Sequence, residues 1–470
     1  MKKILWIVMC ALLVELAQAA EKTENNGKGN LLTFGFPKNL EVDFGKISYG
    51  AEPPQCAGDV TGMNFHITGI IPDDDGFVVY GRDLVYQKRR SLPKAQVWRA
   101  RTKDGFVFEN AKKLFEIPKY DPPVHWNGGD VAPLGKDQLI LFICHLGKPP
   151  TKGHPYHAFA GGLDGEGWQR LNPQPVYRGQ DSISVGWNRQ LGKFVNYQIS
   201  YQPFTKQFRD NIPKIRRVLH IRTSADGLNW TPGESFGANG PYLPNEQLIV
   251  PDEKDAPDTE FYHFSEIDLG EFWAGTMVKY VPLPTEITRN RSMIAHREPY
   301  TSYEWWISPD GLNWERPFRE NSALDEMPGS FAFDLGPPIV IGDELRWAVE
   351  GNVYVLNRRR MFYTYCRSNA EITTKELVLS GQPISLEVGF ATVKRHQKGL
   401  MRQGYLMAEL LDEDGNVIPG FERHKCIFKP SEQTRLTLKW GNQSLPEGSI
   451  GRSVRLRLHF RGVRLYSASY

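Results

Sequence analysis

Hydrophobic and polar positions along the chain form a pattern that is repeated five times. Each unit opens with an apolar strand that carries an isolated polar residue, continues with a hairpin strand, and ends with a third strand. The opening strands are predicted at residues 63–71, 128–134, 181–187, 260–267 and 331–336. Antiparallel strands that repeat at a spacing of roughly 50–80 residues are typical of propeller blades around a central channel.

The second and third strands of each unit support this count. Hairpin turns rich in Gly and Asp precede the second strands, predicted at 74–80, 135–142, 191–197, 270–275 and 342–347. The third strands are predicted at 97–101, 156–160, 218–222, 303–307 and 361–365. Four of them lead into a glycine-containing turn, and the turns at 224–230 and 308–314 are near-copies. We interpret these turns as structural, with a tryptophan packed between blades. The fifth unit lacks the turn, as expected where an array ends.

The pattern of predicted strands changes after the fifth unit. Short alternating strands follow at regular intervals, predicted at 372–379, 402–411, 415–421, 434–440, 454–460 and 463–467. Such strands are typical of a β-sandwich. The sequence therefore predicts an all-β chain, with a five-bladed β-propeller at 40–370 and a C-terminal β-sandwich at 371–470. The sandwich either binds sugar or braces the propeller; the brace is favoured, because no cluster of aromatic residues with acids stands out in it.

The N-terminus has the features of a secretory signal. Lys2 and Lys3 precede an apolar run at 4–16, and Ala17 and Ala19 supply the small residues of a cleavage site. We predict a signal peptide at 1–19 and a polar leader at 20–39, and hence export to the periplasm or the extracellular space. The run is too short to span a membrane as a mature anchor, and we predict no transmembrane segment.

Charge and cysteine usage narrow the function classes. The net charge is +3, and the one basic tract, Arg358 to Arg360, is more typical of a solvated turn than of a nucleic-acid site. Apart from Cys10 in the signal, the cysteines lack C-x-x-C spacing, so a zinc site is not predicted. We predict no nucleic-acid partner, no metal and no other cofactor, although a structural ion in the channel stays open. Disulfide pairing and oligomeric state stay open as well.

At this point the chain resembles a known group of proteins. The matching segments are 224–230, 255–262, 342–346, 411–421 and 451–457. It is similar to secreted bacterial five-bladed propellers related to glycoside hydrolase families 32 and 43 that carry a C-terminal β-sandwich. The resemblance covers most of the mature chain and implies an oligosaccharide or polysaccharide substrate. The W-x-N-D-P-N-G and R-D-P signatures of invertases and fructanases are absent, which argues against fructan as the substrate.

Isolated acids of the opening strands supply candidate catalytic groups. Glycoside hydrolysis uses two carboxyl groups, one that protonates the leaving oxygen and one that activates water or attacks the sugar. Neighbouring carboxylates push their pKa values apart, which keeps one of them protonated. We predict Glu260 as the general acid, Asp130 as the base or nucleophile, and Asp181 as an orienting or tuning group. Asp334 would hold a sugar hydroxyl, with Asp258 close to Glu260. The structural alternative is that each acid caps backbone amides at the channel mouth.

Further substrate-binding candidates are polar or aromatic residues near these acids: His66, His125, Trp126, Tyr262, His263 and Arg82. Tyrosine and histidine are the usual acid–base pair for β-elimination of uronic-acid sugars, Arg82 could neutralise a carboxylate or sulfate, and Trp126 could stack on a sugar ring. The leading hypothesis is therefore a secreted glycoside hydrolase. A polysaccharide lyase and a non-catalytic glycan-binding propeller are the alternatives.

Overall fold

A computed structural model describes residues 30–85, 94–116, 125–133, 138–146, 154–162, 183–203, 215–231, 248–256, 259–281, 300–319, 336–390 and 404–470, with 164, 166–171, 174 and 176–179. Only the backbone is described for 82–85, 94–95, 115–116, 125–133, 138–139, 141–146, 154–155, 177–179, 280–281 and 300–301. Asp181, Asp258 and Asp334 lie outside the described residues. The described residues form strands and three short 3-10 helices, at Pro37–Asn39, Arg358–Arg360 and Arg423–Lys425.

The strands follow one another closely along the chain. In order they are β1 (Leu31–Thr33), β2 (Leu40–Phe44), β3 (Ser48–Ala51), β4 (Gln55–Asp59), β5 (His66–Asp73), β6 (Gly76–Val85), β7 (Lys94–Thr102), β8 (Phe108–Glu116), β9 (His125–Pro133), β10 (Gln138–Leu146), β11 (His154–Gly162), β12 (Gln169–Arg170), β13 (Tyr177–Gly179), β14 (Ile183–Asn188), β15 (Lys193–Pro203) and β16 (Ile215–Ser224). They continue with β17 (Leu248–Ile249), β18 (Glu260–Asp268), β19 (Trp273–Val281), β20 (Tyr300–Ser308), β21 (Ile339–Ile341), β22 (Glu344–Val349), β23 (Asn352–Asn357), β24 (Phe362–Cys366), β25 (Ala370–Thr374), β26 (Leu377–Val378), β27 (Ser385–Phe390), β28 (Tyr405–Leu411), β29 (Ile427–Phe428), β30 (Arg435–Thr437), β31 (Ser453–Arg461) and β32 (Val463–Ser469).

The first compact unit contains the described residues of Pro54–Glu315 and Leu324–Val355. Its antiparallel strands form five sheets among the described residues. Sheet 1 is β5-β6-β7-β8, sheet 2 is β9-β10-β11-β12 with β13 beside β11, sheet 3 is β14-β15-β16-β17, sheet 4 is β18-β19-β20, and sheet 5 is β21-β22-β23-β4. Sheet 5 is completed by β4 from the beginning of the unit, which pairs with β23 from its end.

The first strands of successive sheets lie side by side. Strand β5 contacts β9, β9 contacts β14, and β14 contacts β18, while β22 of sheet 5 returns to β5 of sheet 1. A ring of sheets whose first strands are neighbours is a β-propeller with those strands innermost. The predicted all-β propeller is confirmed.

The glycine turns that end the third strands join each sheet to the one before it. Asp310 Oδ1 accepts hydrogen bonds from the backbone N–H groups of Leu312 and Asn313, both at 2.8 Å. The indole of Trp314 packs on Tyr197 of sheet 3 and Phe264 of sheet 4, with ring centroids 5.8 and 4.8 Å away. The predicted structural role of these turns therefore holds for the turn at 308–314.

A similar hydrogen bond to a turn carbonyl joins sheet 5, the last sheet of the ring, to sheet 1, the first. Asn188 Nδ2 of sheet 3 donates to the Asp310 carbonyl at 2.8 Å, and Arg346 Nη1 of sheet 5 donates to the Asp104 carbonyl of sheet 1 at 2.6 Å. Since Asp104 and Asp310 open equivalent turns, sheet 5 supports sheet 1 as sheet 3 supports sheet 4.

The turn at 308–314 gives a stability prediction. Gly311 and Gly342 both have positive φ, at +74° and +60°, so an alanine strains the backbone similarly at either position. A Cβ at Gly311 would also lie 2.8 Å from Asn188 Nδ2, whereas nothing lies within 4 Å of one at Gly342. We expect Gly311→Ala to lower the free energy of unfolding by about 1–3 kcal/mol more than Gly342→Ala, measured by urea denaturation. Equal losses would contradict this docking.

The second compact unit contains residues 30–53, 356–390 and 404–470, with the described part of Arg316–Ala323. Sheet 6 is β3-β24-β32-β27-β30 with β1 beside β32, and sheet 7 is β2-β25-β31-β28-β29 with β26 beside β31. Both sheets contribute to one buried apolar cluster, which includes Leu386 and Leu465 from sheet 6 and Leu410, Leu456 and Leu458 from sheet 7. Two sheets that share one core form a β-sandwich, as the sequence predicts.

The membership of the two units differs from the sequence prediction at two places. Residues 361–365 are predicted as the third strand of the fifth repeat, yet Phe362–Cys366 pairs with β32 and β3 of sheet 6. Residues 31–33 and 40–51, predicted as leader and propeller, also pair in sheets 6 and 7. The physical reason is that β4 already occupies the edge of β23 in sheet 5, so the strand at 362–366 finds its partners in the sandwich.

Candidate functional site

Three innermost strands carry the same irregularity near their first residues. An extra residue interrupts the pairing of β5 with β6 at Thr68 and of β18 with β19 at Tyr262. The pairing of β9 with β10 is interrupted after Trp126. A β-bulge re-aims nearby side chains and is common next to binding sites. Each irregularity closely follows the first residue of its strand, and these first residues are the sequence-predicted His66, His125 and Glu260.

Glu260 is enclosed and charge-paired. Its side chain is 1% exposed and forms an ion pair with Arg217 of β16, which is 7% exposed. The carboxylate of Glu260, which the sequence predicts as the general acid, contacts an arginine of the neighbouring sheet 3. Burial raises the pKa of Glu260, although the Arg217 guanidinium opposes the shift. Burial on its own would lower the pKa of Arg217, but the Glu260 carboxylate more than compensates and raises it.

Two tyrosines flank this ion pair. The Arg217 guanidinium carbon lies 5.1 Å from the ring centroid of Tyr262 and 6.0 Å from that of Tyr201. A guanidinium over aromatic rings is held by the ring quadrupoles, and most strongly where water is excluded. Tyr262, a sequence-predicted substrate-binding candidate, is therefore placed beside the ion pair. His263 contacts Ser265 instead, with Nε2 and Oγ 3.0 Å apart.

Arg217 and Tyr201 are the members of this cluster that sequence reasoning missed. The signal for Arg217 is its place in β16, where it shares a face with Leu219 and Ile221. A charged residue on an otherwise apolar strand face is buried only when it is paired. The sequence therefore indicates that Arg217 is paired, but it does not identify Glu260 as the partner.

Of the remaining predicted residues, some have a described backbone pairing and the others lie outside the described residues. Arg82 pairs with exposed His66 across β5 and β6, and Trp126 pairs with His145 across β9 and β10. Asp130 is opposite Phe142, five residues further along β9 than His125. Their side chains, apart from that of His66, lie outside the described residues, as do Asp181, Asp258 and Asp334 entirely.

A second carboxyl of β18, that of Glu266, also has a raised pKa. Glu266 accepts a hydrogen bond from the Ser184 hydroxyl of β14. A Cβ at Gly186 would lie 2.6 Å from Glu266 Oε1, so the carboxyl fills space that only glycine leaves open. Burial raises the pKa of Glu266 to about 7, and the Ser184 hydrogen bond partly opposes that shift. The group is six residues beyond Glu260, near the opposite end of the strand.

Metal-binding groups and membrane-spanning helices are both absent from the described residues. Among them, no group of three or more His, Cys, Asp or Glu side chains could hold a metal ion. No helix in the described part of the chain has the length and hydrophobicity that membrane crossing requires.

No protein-family model matches this sequence, and no curated protein matches it. Several solved structures have similar chains. The exo-β-1,3-galactanase of Phanerochaete chrysosporium, solved with β-1,3-galactotriose, is 6% identical, with a TM-score of 0.37 over 89% of this chain and 99% of that one. A family 43 β-1,3-galactosidase is 11% identical, with a TM-score of 0.37 over 88% and 93%. An N-acetylgalactosamine deacetylase of F. plautii is 10% identical, with a TM-score of 0.35 over 91% and 96%. At these identities and scores, no residue role of those proteins is transferred to this chain.

Proposed function

We propose that this protein is an exported glycoside hydrolase that acts where the innermost strands begin, with Glu260 as its general acid. The observation that supports the proposal is the buried Glu260–Arg217 pair beside Tyr262 at the bulged start of β18. A general acid must keep its proton near the working pH, and enzymes achieve this by removing water from a carboxyl group. Burial acts on the pKa of Glu260 in that direction.

Arg217 has two effects in this proposal. It moderates the pKa of Glu260, because a nearby cation favours the ionised carboxylate that remains after the proton is donated. It also fixes the orientation of the carboxyl, because the guanidinium is itself held between Tyr201 and Tyr262. Glu260 can therefore lose its proton to a leaving group without leaving an unpaired buried charge.

The second catalytic carboxyl group has two candidates, the sequence-predicted Asp130 and Asp181. Asp130 lies on β9 and Asp181 comes two residues before β14, and both strands belong to the ring of innermost strands. The partner carboxyl of a glycosidase lies about 5–5.5 Å away in retaining enzymes and about 6.5–9.5 Å away in inverting ones. On β9, Asp130 is five residues beyond His125, the first residue of the strand, which is roughly 16 Å of strand at about 3.3 Å per residue. Loss of turnover in Asp181→Asn with retention in Asp130→Asn would assign the role to Asp181, and the reverse would assign it to Asp130.

The proposal predicts a specific loss of hydrolysis. Wild type and Glu260→Gln are incubated with a broad oligosaccharide panel, and the products are weighed by mass spectrometry. We expect products that have gained water, formed at least about 100-fold more slowly by Glu260→Gln, because one acid–base group contributes about 10²–10⁴-fold.

Glu304→Gln is the matched control for that comparison. Glu304 is also 1% exposed and pairs with Lys279 Nζ at 2.9 Å within the same propeller. It should keep its turnover if the Glu260 effect is chemical, since both variants remove a buried carboxylate from an ion pair. Equal turnover by wild type and Glu260→Gln, or equal losses in both variants, would contradict a catalytic role for Glu260.

A polysaccharide lyase is the second candidate, and the position of Tyr262 favours it. A tyrosine beside a guanidinium resembles the base and the carboxylate-neutralising group that β-elimination of a uronic acid needs. Such an enzyme gives products that absorb in the ultraviolet through a new C=C bond, and Tyr262→Phe should abolish them. Sugar binding without any product, unchanged in Glu260→Gln, would instead indicate a non-catalytic glycan-binding propeller.

A further inference from the structure

Strand β15 has a polar face that is buried. Asn196, Gln198 and Ser200 alternate with apolar residues, a pattern that normally places the polar side chains in solvent. All three are at most 1% exposed. Across the ladder to β16, Asn196 is opposite Arg222 and Gln198 is opposite His220, which are also fully buried.

The apolar residues of the same face show what encloses it. Phe194, Val185 and Ile183 belong to one buried cluster with Ile140 and Tyr156 of sheet 2. Asn196 and Gln198 are opposite Val185 and Ile183 in the β14–β15 register, so they share that face. The polar groups of β15 and β16 therefore lie in an enclosed seam between sheets 2 and 3, which we call the polar seam.

Hydrogen bonding within the polar seam is incomplete. Among the described residues, Asn196 Oδ1, Asn196 Nδ2 and His220 Nε2 have no partner. Rotating the Asn196 amide exchanges its oxygen and nitrogen and satisfies neither, so an inverted amide does not explain the gap. A buried polar group without a partner costs about 1–3 kcal/mol, and three such atoms in one place are rare in a folded protein.

The tautomer and charge of His220 determine which hydrogen-bonding groups a ligand of the seam must have. Arg222 Nε donates to His220 Nδ1 at 3.3 Å, so Nδ1 is an acceptor and the ring hydrogen is on Nε2. Burial, together with the Arg222 charge, lowers the pKa of His220 to about 3, and the ring is therefore neutral at physiological pH. The seam then offers an N–H donor from His220 and both a donor and an acceptor from Asn196.

We propose that the polar seam is a binding site for ordered water, in which a water molecule accepts from His220 Nε2–H and donates to Asn196 Oδ1. The two residues are diagonal neighbours across β15 and β16, a separation of about 7–8 Å between Cα atoms, which a single water can bridge. Water suits the site because it is both a donor and an acceptor of small volume, matching the N–H donor of His220 and the amide oxygen of Asn196. The site is independent of the proposed sugar chemistry.

The test is a crystal structure of the wild-type protein at a resolution that shows ordered solvent. We expect a density peak at about 2.7–3.2 Å from both His220 Nε2 and Asn196 Oδ1. An empty seam, a direct hydrogen bond between the two side chains, or a peak that refines as an ion would overturn the proposal. The wild-type crystal suffices for this decision, so it does not depend on whether a variant folds.

Two variants sharpen the result. Asn196→Leu replaces the amide with an apolar group of similar size and should lose the peak. Ser200→Ala, on the same buried face four residues away, should keep it. In solution, the Nε2–H proton of His220 should show magnetisation transfer from water by NMR in wild type and Ser200→Ala, and lose it in Asn196→Leu. Persistence of the peak and the transfer in Asn196→Leu would exclude Asn196 as a ligand of the water.

Discussion

Arg217→Met is expected to lower the free energy of unfolding by about 3–5 kcal/mol. Its guanidinium is the ion-pair partner of Glu260, which is 1% exposed, so its removal leaves a buried carboxylate without compensation. Chemical denaturation by urea, followed by tryptophan fluorescence, measures the loss. The matched control is Arg189→Met, which breaks the pair of an exposed arginine with half-buried Asp268, 2.9 Å apart, and should cost less than about 1 kcal/mol.

A double variant separates the missing charge from the missing packing. Arg217→Met combined with Glu260→Leu replaces the whole ion pair with apolar groups, and such replacements are often neutral or stabilising. We therefore expect the double variant to recover most of the stability lost in Arg217→Met. A double variant that is no more stable than Arg217→Met would show that packing of the arginine against its tyrosines, rather than charge, dominates.

Glu266→Gln is expected to remove a pH dependence of stability of about 3 kcal/mol. The folded-state pKa of Glu266 is about 7, above its ordinary value of 4.5, so the folded chain holds a proton that the unfolded chain has lost between these pH values. Stability is therefore fully present below about pH 4.5 and falls as the pH rises to about 7, where the carboxyl ionises within the fold. A pKa that rises from 4.5 in the unfolded chain to about 7 in the folded one corresponds to about 3 kcal/mol of stability.

Urea denaturation at pH 5 and pH 8 measures this effect. Wild type should lose more stability than Glu266→Gln between the two values, because the amide does not ionise. Ser184→Ala provides a second comparison, since its hydroxyl lowers the pKa of Glu266, and its loss should extend the pH dependence to higher pH. Identical pH dependence in wild type and Glu266→Gln would refute the assignment.

Local pattern in the sequence accounts for the sheets but not for the contacts between them. Strands β5, β9, β14 and β18 begin within three residues of their predicted starts, because a two-residue alternation and a glycine hairpin are local signals. The bulge at Tyr262 and the pairing of Glu260 with Arg217 depend on how sheet 4 packs against sheet 3. Nothing in the neighbouring sequence encodes that packing.

The polar face of β15 shows that alternation alone does not establish exposure to solvent. Alternation of polar Asn196, Gln198 and Ser200 with apolar residues is typical of a strand with one solvated face, yet both faces are covered by neighbouring sheets. In a propeller every middle strand is covered on both sides, so polarity on such a strand indicates an internal hydrogen-bonding group rather than exposure. The ion pair of Glu260 is likewise not evident from its own strand, because its partner Arg217 lies on another sheet.

The pairing of early strands with late ones has a consequence for how the chain acquires its structure during synthesis. Strand β4 needs β23 to complete sheet 5, and β1 needs β32 at the far end of the sandwich. The N-terminal strands therefore emerge first and must wait, unpaired, until almost the whole polypeptide has been made. Contacts between residues so distant in the chain make folding slow, and they leave exposed strand edges that promote aggregation in the meantime. Ring closure and sandwich completion are thus late events.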